Sequence, residues 1–316
     1  MTTSAQSIRP ARIAVTGASG FLGRHFIDRA AREGVACRGL SRKGDAAGAA
    51  EMIAGDLRER SDVERLFRGC DAVVNLAYAS EWSDADNDAI TANLIAVASD
   101  VRPRRFVHVS TAVVVGSCTD SVINEQKPCR PETEYQRRKL RIEEQLAEGL
   151  ENRVPLAILR PTAVFGPGGR NLMKLVDDLR RDSPLMRSLR FAVLRRRRLN
   201  LVSVSNVVEA IWFLLTSTRD FRGDRFIVSD DDDPRNNYGD VSAYAAAAAG
   251  LGLWRWKIPL LEGALPLLLR VRGRSLTNPD AVFSASKLRE AGFQPPAAFN
   301  DELSRFLAWY LSLRTA

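Results

Sequence analysis

Histidine and cysteine are scarce in this 316-residue chain, which has two of the first, His25 and His108, and four of the second, Cys37, Cys70, Cys118 and Cys129. Two isolated histidines give no basis for a histidine-rich metal centre, so no metal is expected. The cysteines are widely spaced and match neither a metal-ligand nor a disulfide pattern, which fits a reduced, cytoplasmic setting. Long apolar runs are missing as well. No stretch reaches the roughly 20 residues that span a bilayer, so no stable membrane insertion is expected. The nearest, Leu260–Val271, is broken by Glu262, Gly263, Pro266 and Arg270. Met1–Pro10 is polar, has no apolar centre and reads as a flexible tail without a secretory leader. There is no internal repeat.

What remains is the composition of a globular protein, 45% hydrophobic and 27% charged, long enough for one large or two moderate domains. The net charge of +8 comes from 46 basic and 38 acidic residues. Apart from Arg195–Arg198 the basic residues are dispersed among acidic ones, and no aromatics interleave that run. Nucleic acid is therefore not the expected partner, and attraction of a small anionic substrate explains the charge equally well. The acidic run Asp230–Asp233 reads as a solvated loop.

Strands and helices alternate through the first half. Ile13–Val15 is an apolar strand, followed by a helix over Phe21–Ala31 with Gly34 as its C-cap. Val35–Leu40 and Met52–Ala54 are further strands, and Ser61-Asp62-Val63-Glu64 has the form of a capping box opening the next helix. Ala72–Ala77 is a continuous apolar strand, as expected when both faces are buried. Helices over Asp84–Asp100 and Glu132–Leu150 alternate with strands over Arg105–Ser110 and Pro155–Arg160. Such units imply an α/β fold with a doubly wound parallel sheet. The pattern breaks at Gly166-Pro167-Gly168-Gly169. Beyond it, helices at Leu172–Arg181 and Val207–Thr216 flank a strand at Leu199–Val204, Phe226–Ser229 is a returning strand, and the chain from Asp240 is mainly helical. The expected organisation is a tail (1–10), a dinucleotide-binding domain (11–165, with 199–230 returning to it), and a smaller, mainly helical substrate region (166–198 and 231–316).

Two local patterns carry chemistry. Thr16-Gly17-Ala18-Ser19-Gly20-Phe21-Leu22-Gly23 lies between the first strand and the first helix. There, unpaired backbone N–H groups at the positive end of a helix form a cradle for a pyrophosphate. Gly17 permits the turn, Gly20 lets the phosphate approach, and Gly23 allows helix and strand to pack closely. Second, Tyr135 and Lys139 stand one turn apart on one helix face. A phenol is a poor base at neutral pH, and a neighbouring ammonium favours the phenolate and lowers its pKa. Such a pair can exchange a proton with a substrate hydroxyl while a nicotinamide exchanges a hydride at the same carbon.

Together with Gly55-Asp56-Leu57, Ser110-Thr111 and Arg160-Pro161-Thr162-Ala163-Val164-Phe165-Gly166-Pro167-Gly168, these segments resemble the extended short-chain dehydrogenase/reductase superfamily, the NAD-dependent epimerase/dehydratase family, in its order and spacing. The resemblance implies a Rossmann fold and assigns roles. Thr111, placed by counting back from Gly116, would hydrogen-bond the reacting oxygen, with Ser110 the weaker candidate. Tyr135 would be the acid/base, and Lys139 would hold the nicotinamide ribose. Gly17, Ser19, Gly20, Phe21, Leu22 and Gly23 would cradle the cofactor, Asp56 and Leu57 would meet adenine, Ala77 would border the cofactor, and Pro161 would lie beside the nicotinamide. Asn87 resembles an asparagine near the active site, although a plain surface asparagine reads the same way.

After the second strand come Ser41, Arg42 and Lys43, with no carboxylate before Asp45. Arg42 and Ser41 suit a 2′-phosphate, favouring NADP(H) over NAD(H). Ala112 and Val113 stand where nucleotide-sugar dehydratases carry Asp-Glu, so dehydration is not expected. The segments near Gly169–Met173 and Leu199–Val208 resemble nucleotide-sugar 4-epimerases and 4-ketoreductases. Asn171, Arg198 and Arg274 would then bind the substrate diphosphate, although Leu199 stands where that arginine is usual, with Arg198 beside it. The expected function is hydride transfer at a sugar carbon of a nucleotide-activated sugar. A dehydrogenase or reductase of a non-sugar alcohol or ketone is the alternative, with the apolar segment Leu251–Val271, including Trp254 and Trp256, forming its pocket. A non-catalytic dinucleotide-binding regulator is a third reading, and a homodimer is left open.

Overall fold

The computed structural model describes residues 8–78, 83–251 and 278–313. In chain order its elements begin β1 (Arg12–Thr16), α1 (Phe21–Arg32), β2 (Ala36–Ser41), β3 (Glu51–Ala54), α2 (Arg60–Phe67), β4 (Ala72–Asn75), α3 (Asp84–Val101) and β5 (Arg105–Val109). A 3-10 turn at Ala112–Val115 and the short β6 (Val122–Ile123) lead to α4 (Glu134–Leu150), β7 (Leu156–Pro161) and β8 (Ala163–Phe165). Next come α5 (Met173–Arg181), α6 (Pro184–Leu194), β9 (Leu201–Ser203), α7 (Val204–Thr216), β10 (Asp224–Val228) and α8 (Tyr238–Ala248). The last described elements are β11 (Val282–Phe283), α9 (Ser286–Glu290) and α10 (Phe299–Ser312).

Seven strands form one sheet in the order β10-β7-β5-β4-β1-β2-β3. The pairs from β7 through to β3 are parallel, with Thr16 opposite Leu40 and Asn75, and Asn75 opposite His108. Strand order reverses between β1 and β4, and in such sheets ligands bind beyond the carboxyl ends of the strands at that switch point. The inner strands read as continuous apolar runs because both faces are covered. On one face Ala14, Val73, Phe106 and Ile158 pack with Leu66, Leu94 and Leu146 of α2, α3 and α4 into a single core.

The chain divides into two compact units. The first comprises the described residues of Met1–Val114, Thr133–Arg160 and Val208–Phe226, and the second those of Val115–Glu132, Pro161–Val207 and Ile227–Ala316. The second unit has its own core, in which Phe165 meets Phe299 and Phe306 edge-on amid Val176, Leu201 and Val241. There β8 pairs with β9 and β6 with β11.

Two local expectations change. The capping box expected at Ser61 does not form, because α2 starts two residues earlier with Glu59 as its uncapped N-cap. Asp62 is drawn instead to the preceding loop, where its carboxylate accepts from the Asp56 N–H at 2.8 Å. The acidic run is solvated only in part: Asp232 is exposed, whereas Asp231 is buried, accepting from Asn200 at 2.7 Å, Phe283 N–H at 2.8 Å and Asn236 at 2.9 Å. Asp230 accepts from Ser203 N–H and the Asn206 amide, each at 2.8 Å. These carboxylates fasten the end of β10 to β9, α7 and β11, and burial pushes Asp230 up to about 6.

Candidate active site

The first unit builds the site from the ends of β1, β2, β4 and β5. Gly17 has φ +66°, and a Cβ there would press on the Leu76–Ala77 backbone at 3.0 Å. A Cβ on Gly23 would come within 2.3 Å of the Gly17 carbonyl oxygen, so α1 can seat against the turn only with glycine there. Gly20 is the N-cap of α1 and offers no side chain to the first-turn N–H groups. Those donors and the helix dipole suit an anion.

Beside the turn lies a cavity of about 600 Å³. Gly17, Ser19, Gly20, Ser41, Arg42, Asp56, Leu57 and Ala77 line it, as do Lys43, Asp45 and Tyr78. Phe21, Leu22 and Gly23 form the first residues of α1 and are not in its wall. Hydrogen bonds from Arg58 hold the Asp56 carboxyl below the usual carboxylate range. Asn93 on α3 steadies that loop by donating to the Leu57 and Arg58 carbonyls at 3.0 and 2.7 Å. Ser41 Oγ accepts from Asp45 N–H at 3.0 Å, which folds the loop and leaves the exposed Arg42 and Lys43 on the cavity wall. The cradle that a Cβ would fill, the bare helix N-terminus and the two cations fit a nicotinamide dinucleotide.

At the other end of the sheet's carboxyl edge, Thr111 opens the 3-10 turn after β5. Thr133 and Gln136 cap α4 reciprocally, at 3.2 and 3.1 Å, which places Tyr135 in its first turn. The Tyr135 phenol hydrogen-bonds Thr111, and burial raises its pKa despite that bond. This reverses the expected lowering. The Lys139 ammonium is buried, donates to the Val109 carbonyl at 3.1 Å and lies 5.0 Å from the centre of the Tyr78 ring. Burial lowers Lys139 to about 8.

Beneath this cluster runs a buried polar chain that no local sequence pattern announces. Thr16 Oγ1 donates to Asn75 Oδ1 at 2.6 Å, and the Asn75 amide meets His108 Nδ1 at 3.0 Å. Burial, reinforced by the Lys139 charge, keeps His108 neutral. Thr16 Oγ1 also accepts from the Leu76 and Ala77 N–H groups at 3.1 Å each, which ends β4 two residues earlier than expected. Asn87 is buried on α3 and donates to the Ser83 carbonyl at 2.8 Å. Tyr78 is the side chain that sequence reasoning does not reach: its only signal is being aromatic one residue past Ala77.

Pro161 closes β7. In the second unit Asn171 is exposed and donates to the Val164 carbonyl at 2.6 Å. Arg198 Nη1 donates to the Asp233 carbonyl at 3.0 Å and contacts that of Pro234 at 3.5 Å. Arg274 and, apart from Leu251, the apolar segment 251–271 lie outside the described residues. Among the described residues no cluster of metal-ligating side chains occurs and no helix is long and apolar enough to cross a membrane.

Comparison with known proteins places these features. A 4-hydroxy-2-methyl-3-oxo-4-farnesyl-3,4-dihydroquinoline-1-oxide ketoreductase of Stigmatella aurantiaca is 26% identical, over 85% of this chain and 89% of that protein. A UDP-glucose 4-epimerase of Vibrio cholerae is 25% identical, over 92% and 93%. The fold matches the UDP-glucuronic acid 4-epimerase of Bacillus cereus, solved with NAD, with a TM-score of 0.73 at 17% identity over 96% and 99% of the two chains. The model of the NAD dependent epimerase/dehydratase family matches residues 13–228. With its glycine cradle and parallel seven-stranded sheet, the chain belongs to the NAD-dependent epimerase/dehydratase family of extended short-chain enzymes.

Proposed function

We propose that this enzyme reduces a ketone, with Tyr135 as the proton donor. The observation that carries this reading is the Tyr135 phenol, hydrogen-bonded to Thr111 and standing one helical turn before the buried Lys139. At neutral pH it keeps its proton, the form needed to protonate an oxygen that gains negative charge. Thr111 holds that oxygen in line with the phenol. Lys139 sits one turn behind and would hold the nicotinamide ribose, while the glycine turn would hold the pyrophosphate and Arg42 with Ser41 a 2′-phosphate, favouring NADP(H). When bound, the dinucleotide supplies the hydride.

For the substrate we favour an apolar ketone. Val113 presents a 40% exposed apolar side chain two residues from Thr111. Arg198, the candidate diphosphate ligand, is bonded to the Asp233 and Pro234 carbonyls of the loop after β10. The Stigmatella relative is named as a ketoreductase of a farnesylated quinoline oxide. A nucleotide-sugar 4-epimerase is the second reading, supported by the end-to-end match to the Vibrio epimerase. NADPH oxidation measured with a panel of isoprenoid, steroid-like and polyketide ketones against nucleotide sugars separates them. Turnover with the ketones alone supports the first reading, and interconversion of UDP-sugars without net NADPH consumption overturns it. Tyr135→Phe should lower kcat by about 10²–10⁴-fold while leaving dinucleotide binding intact; full activity in that variant would remove Tyr135 from the chemistry.

A further inference from the structure

We propose that Tyr78 is a positioning residue of the hydride-transfer site, holding the Lys139 ammonium over its ring face and the Tyr135 ring against it. The Lys139 nitrogen lies 5.0 Å from the Tyr78 ring centre. The Tyr78 and Tyr135 rings meet edge to face, with centroids 5.2 Å apart and an interplanar angle of 79°. The Tyr78 hydroxyl hydrogen-bonds Arg138, whose guanidinium also holds Asp84 at 2.6 Å and Glu134 at 3.1 Å. One aromatic side chain thus touches three residues within the first turns of α4. Its backbone is fixed from below, since the N–H groups of Leu76 and Ala77 just before it bond Thr16 Oγ1. The same residue lines the cofactor cavity, so it joins the glycine cradle to the acid.

The arrangement answers a physical need. An ammonium carries three donors and is expensive to bury, yet among the described residues Lys139 donates to one carbonyl, that of Val109, at 3.1 Å. On α4 its charged neighbour is Glu143, whose carboxylate is taken bidentately by Arg160 from β7 and approached by Arg225 at 3.7 Å. On β5 it faces His108, which is neutral. Tyr135 shares its helix face and is an uncharged phenol. Alongside the Val109 carbonyl, the negative face of the Tyr78 ring therefore stabilises the cation directly. It also fixes the distance between the cation and the acid, because both rest on one rigid ring. With a dinucleotide bound, the ribose hydroxyls would meet an ammonium already held in place.

This proposal rests on the reductase reading for its catalytic meaning, so the test has a readout independent of turnover. The chain has six lysines, and ¹³C-labelled lysine side chains give few NMR signals, with Lys139→Arg identifying that of Lys139. Tyr78→Leu keeps the site dry but removes the ring face, and the Lys139 midpoint should fall by about one pH unit from its value near 8. Tyr78→Phe keeps the face and should leave the midpoint in place. In turnover, Tyr78→Leu should lower kcat about tenfold and move the pH limb set by Lys139 by the same amount, with the KM for the ketone unchanged. Tyr78→Met is the replacement if the leucine variant does not fold. An unmoved Lys139 midpoint in the folded aliphatic variant, or an equal shift in Tyr78→Phe, overturns the proposal. A midpoint that moves as expected in an enzyme inactive toward every ketone would sink the reductase reading and leave the hold of Tyr78 on Lys139 standing.

Discussion

A carboxyl group that gives up its water on folding resists ionising, and at Asp230 this couples stability to pH. Folded, Asp230 keeps its proton up to about 6, whereas an unperturbed aspartate loses it near 3.9. Between those values the folded protein binds more protons than the unfolded chain, so stability falls as pH rises from about 4 to about 6. The contribution is fully lost above the folded value and amounts to roughly 2–3 kcal/mol. Asp230→Asn cannot titrate. Urea melts at pH 4.5 and 7 should show its change in stability between the two to be about 2 kcal/mol more favourable to the higher pH than in the parent. An identical pH response in both proteins would mean that Asp230 titrates normally. Asp231, also raised by burial, keeps its own bonds to Asn200, Asn236 and Phe283, and its charge helps to raise Asp230.

Between elements, α4 is locked to the sheet by a buried ion pair. The Glu143 carboxylate is fully buried, and Arg160 of β7 grips it at 2.6 to 3.1 Å. Breaking such a pair by removing one partner leaves the other charge stranded, at a cost of about 3–5 kcal/mol. Glu143→Ala should lose that much in chemical denaturation and loosen the helix that carries Tyr135 and Lys139. At the other end of the site, Gly23→Ala drives a Cβ into the Gly17 carbonyl. Its expected signature is weakened dinucleotide binding measured by nicotinamide fluorescence, and wild-type affinity would contradict the packing argument. Both features show how far a sequence reaches. Glycine spacing and a Tyr–Lys pair at i, i+4 are local patterns, and the alternation of strands and helices is a periodicity, so the sheet, the cradle and α4 are legible. The Ser61 box fails because Asp62 finds a better donor in the loop before it. The acidic run looks solvated because its partners, Asn200, Asn236 and Phe283, are not its sequence neighbours or lie far along the chain. Helix α6 escapes detection because Leu185, Met186 and Leu189 are exposed, which blurs the one-sided apolar pattern a helix usually shows. Tyr78 carries no motif, and its meaning comes only from what α4 brings to it.

For the molecule as a whole, a ligand that binds only the folded form stabilises it by mass action, by about 2.7 kcal/mol at one hundred times its Kd. This makes the cofactor preference measurable without knowing the substrate. NADPH and NADH share every contact of the glycine turn, so both should raise the melting temperature. On the proposed reading, the 2′-phosphate of NADPH would add a partner for Arg42, which is exposed on the cavity wall beside Lys43. At equal concentration NADPH should therefore raise the melting temperature further. Arg42→Ala should erase the difference while leaving the NADH effect in place. Because the added contact is between exposed charges, the NADPH excess should shrink from about 0.05 to about 0.5 M salt as the Debye length contracts. The two units have separate cores. If they melt in two transitions, the shift belongs to the one containing the glycine turn. Equal stabilisation by NADH and NADPH in the parent protein would assign Arg42 to the solvated surface and leave the adenosine ribose without phosphate recognition.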